Sequence, residues 1–199
     1  MDSKNTHYIS LGTRCNSASI IRDRLLKRTK SYPFDWIDID LQAILKFVSL
    51  PTDALEEYLT GYFKNIDLST NRNKDDNTWF PHDFVEGTTV DQVTEKYIRR
   101  FKRFFELLES GHKIIFLTII AYSVPDRNNV NVQTFEKIKK VLETRTNGRC
   151  VFVSVNLNNL KFDKGHHWNF PIKINQDWVG FDEDILASIR DNDYLQKYF

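Results

Sequence analysis

The chain has 199 residues, a 41% apolar fraction with fifteen phenylalanines, and a formal net charge of +1 from 28 basic and 27 acidic side chains. That length suffices for one domain with a proper core, and the near-neutral balance argues against a general nucleic-acid binder, which would carry a marked basic excess. Seven glycines and five prolines exclude a linker-rich or disordered chain, and two cysteines cannot build a disulfide framework.

Taken in chain order, the polar opening at 1–6 lacks the apolar stretch of a signal peptide. A strand over 7–11 breaks at Gly12 and leads into a helix over 16–28, with Ile20, Ile21, Leu25 and Leu26 on its apolar face. An aromatic stretch around Pro33 follows. Helices over 41–50 and 52–60 come next, the second capped by Thr52 or Asp53. Residues 65–77 read as the least structured part, with 71–77 an exposed, asparagine-rich loop that feeds Trp79-Phe80-Pro81-His82-Asp83-Phe84. The strongest helix spans 89–110, where Val90, Val93, Tyr97, Phe101, Phe104, Phe105 and Leu108 follow helical spacing and Gly111 supplies the stop.

Beyond it, 113–120 is a near-continuous apolar strand of the kind buried on both faces of a parallel sheet. A helix over 132–144, a strand over 150–156 opened by a packing Cys150, a short strand over 172–175 and a closing helix over 181–191 complete the pattern. The alternation predicts a single α/β domain over 1–199, three-layered, with a mainly parallel sheet and helices on both faces, Rossmann-like or flavodoxin-like. Its sheet would hold 8–11, 113–120 and 150–156. The basic groups Arg22, Arg24, Lys27 and Arg28, and Arg99, Arg100, Lys102 and Arg103, read as solvated helix faces. The longest apolar run, 114–122, is too short to span a bilayer, so a soluble cytoplasmic protein without membrane or nucleic-acid partners is expected.

Cys15 follows the first strand in Tyr8-Ile9-Ser10-Leu11-Gly12-Thr13-Arg14-Cys15, at the N-terminus of a helix. Unpaired first-turn N–H groups and the helix dipole there favour thiolate, the reactive form, and Arg14 would act in the same sense. The alternative is a small buried hydrophobe. Together with Ser31-Tyr32-Pro33-Phe34-Asp35-Trp36 and Pro81-His82-Asp83-Phe84, this segment resembles a family described as putative papain-like cysteine peptidases. The resemblance implies a nucleophile at Cys15 and a histidine partner at His82. Its papain comparison concerns residue roles, because a thiol after the first strand of a parallel sheet differs from the papain topology.

His82 would act as general base to Cys15, or else be a surface histidine on a tight turn. Asp83 and Asp35 are the candidate orienting acids. Asp83 neighbours His82 and would point to the opposite face, and Asp35 is alternatively a turn carboxylate. His166, His167 and Trp168, with Asn175, Asp177 and Trp178, form a second polar and aromatic cluster, which could orient a histidine or pack as an ordinary loop. Neither a metal-ligand spacing nor a Gly-x-Gly-x-x-Gly or phosphate-loop motif occurs, so no metal and no cofactor is expected.

Two function classes follow. In a cysteine hydrolase or acyl transferase, Cys15 attacks a carbonyl of a peptide or other acyl-bearing small substrate, and first-turn N–H groups near Asn16 and Ser17 hold the oxyanion. In a non-catalytic binding module, Tyr32, Phe34, Trp36, Trp79, Trp168 and Trp178 line a groove for a peptide or carbohydrate.

Overall fold

The structure, a computed structural model, describes residues 6–12, 15–24, 30–120, 132–156 and residue 187. Strand β1 (Thr6–Ser10) leads to helix α1 (Asn16–Ser19), which runs on as a π-helical segment, Ile20–Arg24. Helices α2 (Leu41–Val48) and α3 (Leu55–Lys64) precede a small hairpin of β2 (Ile66–Asp67) and β3 (Arg72–Asn73). Then come α4 (Val90–Glu109), β4 (Lys113–Ile120), α5 (Val132–Arg145) and β5 (Cys150–Asn156). The last expected strand, over 172–175, and most of the last helix, over 181–191, lie outside the described residues.

The architecture is α/β with a parallel three-stranded sheet in the order β1-β4-β5. Ser10 pairs with Leu117 and Ile114 with Cys150, and the Leu11 N–H adds one more ladder bond to Leu117 O at 3.0 Å. The central β4 explains itself chemically. Ile114, Ile115, Phe116 and Leu117 are all buried, whichever face they point to, so its sequence has no reason to alternate. Ile114 and Phe116 join one core cluster with residues of α2, α3, α4 and α5.

Aromatic rings carry that core from the sheet outward. Phe152 stacks on Phe116 at 5.1 Å, Phe116 meets Phe104 edge-on at 6.5 Å, and Phe104 meets Phe34 at 5.7 Å. Phe34, in the aromatic stretch after α1, is therefore anchored to the sheet through α4. Helix α4 starts where its sequence says it should. Thr89 accepts from the Gln92 N–H and the Gln92 side chain accepts from the Thr89 N–H, a reciprocal capping box. Gly111, at φ +83, supplies the left-handed residue that ends it.

Four expectations change. The helix foreseen over 16–28 turns π-helical from Ile20, a form concentrated at functional sites. Helix α3 begins at Leu55 behind Ala54, without a side-chain cap from Thr52 or Asp53. The asparagine-rich segment is a built hairpin: Asn73 is buried and donates to Tyr62 O at 2.9 Å. Its neighbours Asn71 and Asn77 hold φ near +55 and +58, a conformation asparagine tolerates well. Finally, α4's basic run is not all solvated, because Arg100 is buried with its guanidinium 5.1 Å from the Tyr97 ring centroid.

At the amino edge of the sheet, His7 Nε2 and His112 Nδ1 are 2.9 Å apart with their rings within 4° of parallel, joining β1 to the turn before β4. Burial, then the charge of His112, then that of Lys30 push the His7 pKa below its ordinary 6.5. A histidine whose folded pKa lies below its unfolded value favours folding while neutral, and that stability is lost as pH falls from about 6.5 through the depressed folded value. The melting temperature of the wild type should therefore fall more between pH 7 and 5 than that of His7→Gln. Parallel profiles in a thermal-unfolding series would refute the assignment.

Candidate active site

The first wall is the turn after β1. Ser10 Oγ lies 2.5 Å from Ser17 Oγ and accepts from the Gly12 N–H at 3.2 Å, and both serines are fully buried. These contacts staple the strand end to the first turn of α1. Gly12 sits at φ +72, and a Cβ there would lie 2.7 Å from Ile39 Cγ2 and 3.4 Å from Phe34 Cβ. Cys15 is half-buried, and its carbonyl accepts from the Ser19 N–H at 3.0 Å, which makes it the N-terminal cap residue of α1. The N–H groups of Asn16 and Ser17 thus belong to the first turn of that helix. Arg14 and the Asn16 side chain lie outside the described residues.

The second wall is the aromatic turn. Asp35 is buried; its Oδ2 accepts from the Tyr32 N–H at 2.7 Å, so the carboxylate closes the turn on itself. With Phe34 locked in the core, Trp36 is left at φ +62, a strained conformation for a bulky side chain. Two residues later, Asp38 and Trp79 exchange backbone hydrogen bonds of 3.0 and 2.8 Å as an isolated antiparallel bridge.

That bridge brings in the third wall. Phe80 packs among Phe63 and Tyr97, and Asp83 is buried. Asp83 Oδ1 forms an ion pair with Lys96, and its Oδ2 accepts from Tyr97 OH at 2.8 Å. Burial first, and the Asp83 charge second, raise the Tyr97 pKa well above its ordinary 10, so this phenol stays a donor. His82, the next residue back, points the other way and is exposed. Its ring meets Trp36 edge-on, with centroids 6.2 Å apart at 86°. The Arg22 guanidinium lies 4.4 Å from the centroid of the same indole, and Arg72 lies 4.9 Å from that of Trp79.

Three separate segments are thereby joined: Gly12 lies against Phe34 and Ile39, Asp38 is bridged to Trp79, and Trp36 meets His82. Among the substrate-facing candidates, Trp36 is half-buried and Trp79 is 37% exposed. Tyr32 and Phe34, expected to line a groove, are core residues instead. Ser17 turns its hydroxyl to Ser10. Trp168 and the whole cluster at 166–178 lie outside the described residues. Sequence reasoning missed Lys96 and Tyr97, which carry no local signal as partners of Asp83. It also missed the position of Arg22, read only as part of a basic helix face, over the indole of Trp36. The described groove of about 690 Å³ beside Lys113, Lys140, Asn147 and Cys150 lies at the amino ends of β4 and β5, away from the strand end that leads to Cys15. Burial pushes the Cys150 thiol up, in keeping with a packing role.

A free thiol capping a helix just past a parallel strand, with an exposed histidine on an adjoining motif, defines a thiol-bearing α/β protein. The chain belongs to the family described as putative papain-like cysteine peptidase, whose model matches residues 6–59 and 60–161. It is also similar to "Uncharacterized protein R408" of Acanthamoeba polyphaga mimivirus, at 29% identity, with 58% of this chain and 62% of that protein covered. The chain thus spans less than two thirds of the length of that relative. No solved structure matches it.

Two variants test the geometry. Gly12→Ala should destabilise the protein by about 2 kcal/mol or more, since it combines a left-handed φ with a Cβ that has no room. A loss under about 0.5 kcal/mol in denaturant titration would show that the contact gives way. Asp83→Ala strips a buried phenol of its acceptor, and a loss of about 2–3 kcal/mol is expected from the same measurement; Tyr97→Phe should cost less.

Proposed function

We propose that the chain is a cysteine-dependent hydrolase or acyl transferase, in which Cys15 is the nucleophile and His82 the general base. The observation that carries this reading is the packing of the motif segments on one another, from Gly12 through Phe34 and Trp36 to His82, in a chain whose family is described by a papain-like role. In the proposed reaction, Cys15 sulfur attacks the substrate carbonyl after its proton passes to His82. The oxyanion that develops is met by first-turn N–H groups at Asn16 and Ser17, and His82 returns the proton to the leaving group. Water, or another acceptor, then releases the acyl group from sulfur.

Neither Asp35 nor Asp83 is assigned the role of orienting acid, since Asp35 closes its own turn and Asp83 is engaged by Lys96 and Tyr97. The edge contact with Trp36 is the interaction that orients His82 in this reading. A peptide or small acyl compound is the proposed substrate class. We also place the chain as a single domain of the three-layer kind, supported by the burial of β4 on both faces. No helix among the described residues is long and apolar enough to cross a membrane, and we propose a cytoplasmic, reducing setting for the two free thiols. A second reading, a non-catalytic peptide- or carbohydrate-binding module, is favoured by one observation, the exposed indole of Trp79.

The pH dependence of alkylation separates the two. Cys15 should react with iodoacetamide with a midpoint below the usual value of about 8.5, whereas Cys150 should react slowly until the protein unfolds. His82→Ala should move the Cys15 midpoint upward, because removing a cationic partner disfavours thiolate. Equally slow rates for both thiols at neutral pH would favour the binding module.

A further inference from the structure

We propose that His7 and His112 bind a divalent transition-metal ion of tetragonal preference, nickel(II) or copper(II), which staples the start of β1 to the turn before β4. The inference is independent of Cys15 and of the function proposed above. His7 Nε2 and His112 Nδ1 lie 2.9 Å apart, and the two rings are within 4° of parallel with centroids 4.9 Å apart. Both residues are half-buried, so the pair is tied into the fold yet open to an ion from solvent. A separation of 105 residues is why no ligand spacing marks the pair in the chain.

Neither backbone has to be ordered for binding. The parallel ladder pairs Thr6 with Lys113 and His7 with Ile114, which fixes β1 against β4. The His112 N–H donates to Ser110 Oγ at 3.3 Å, and that hydroxyl donates to Leu107 O at 2.8 Å, so the turn after α4 is held as well. A ligand pair preset in this way loses little entropy when an ion enters.

Distance and ligand type together select the ion. An ion about 2.0–2.1 Å from each of two imidazole nitrogens, themselves 2.9 Å apart, subtends an angle of about 90°. That is the angle between neighbouring ligands of a square-planar or octahedral ion, whereas a tetrahedral ion would need the nitrogens about 3.3 Å apart. Calcium and magnesium want oxygen donors and fit poorly. Among the described residues no carboxylate or thiol completes a group of three ligands, so water fills the remaining positions. Burial, then the charge of His112, push the His7 pKa down, which keeps its ring in the neutral form that coordinates. Lys30, whose charge also reaches His7, opposes an ion held by charge alone and leaves affinity to the imidazole bonds. When the ion enters, the ring that donated the shared hydrogen carries its proton on its far nitrogen instead. Both imidazoles thus coordinate in neutral form, and no proton is released.

Nickel(II) chloride is the probe, and thermal unfolding of the full chain is the first readout. About 1 mM nickel(II) should raise the melting temperature by about 3 °C or more, in wild type and in Cys15→Ser alike. His7→Gln and His112→Gln should each lose that rise, measured against the same variant without metal, whereas His82→Gln should keep it. Zinc(II) at the same concentration should give a smaller rise. A second readout uses wild type alone and so does not depend on the variants folding. Nickel(II) should slow diethyl pyrocarbonate modification of His7 and His112 about fivefold or more, mapped by peptide mass spectrometry, and leave His82 unaffected. The absence of both rise and protection, a rise that survives in both His7→Gln and His112→Gln, or an equal response to zinc(II) would each overturn the proposal.

Discussion

Where β1 runs out, at Gly12, the backbone passes within van der Waals contact of Phe34 and Ile39, and no Cβ fits between them. The contact depends on two things that glycine alone supplies together, a left-handed φ and an absent side chain. On one side of it the chain turns into the helix that Cys15 caps. On the other, Phe34 is held by Phe101 and Phe104 of α4, so the cysteine turn is referenced to the deepest part of the core rather than to its own loop. The strand end fixes the thiol only because the aromatic turn is itself immobilised, and the aromatic turn fixes Trp36 only because Phe34 and Asp35 have nowhere else to go.

Stability and chemistry are divided between neighbouring residues in both motif turns. Phe34 and Asp35 are buried and Trp36 emerges; Phe80 and Asp83 are buried and His82 emerges. Each exposed group is flanked by residues that supply the free energy of holding the turn. A carboxylate next to a histidine in sequence invites assignment as its orienting acid, yet the inward direction of Asp83 follows from the same turn that sends His82 outward. The local chain cannot deliver both to one side. Tyr97 and Lys96 then complete the valences of the buried acid, as a desolvated carboxylate requires.

Much of the fold was legible in the sequence for reasons of periodicity. The buried stripe of α4, its Thr89 start and its Gly111 stop, and the unalternating β4 are dictated by local pattern and short-range hydrogen bonding. The π-helical turn after Ser19 was not legible, because apolar spacing at Ile20 and Ile21 fits an α-helix equally well. Nor was the order in the asparagine-rich hairpin, since composition reports polarity but not that Asn73 would replace a backbone partner for Tyr62. Within the candidate site, Cys15 and His82 are candidates on residue type and motif alone. Their surroundings carry no such mark, because Gly12 against Ile39 and Asp83 against Tyr97 are tertiary contacts between segments with no shared pattern.

The π-helical segment and the strained Trp36 acquire a common explanation when considered together. In an α-helix of uniform pitch, the residue seven positions after a cap returns close to the cap's own face. Widening the turn from Ile20 rotates the later residues relative to that face and carries Arg22 over an indole contributed by a different segment. Trp36 meets it only by adopting a backbone angle that most bulky residues avoid. Two local departures from regular geometry, each unfavourable alone, thus converge on one contact beside His82. A fold free of functional demands would have little reason to retain either, and their coincidence sets this corner of the molecule apart from the regularly paired strands of the sheet.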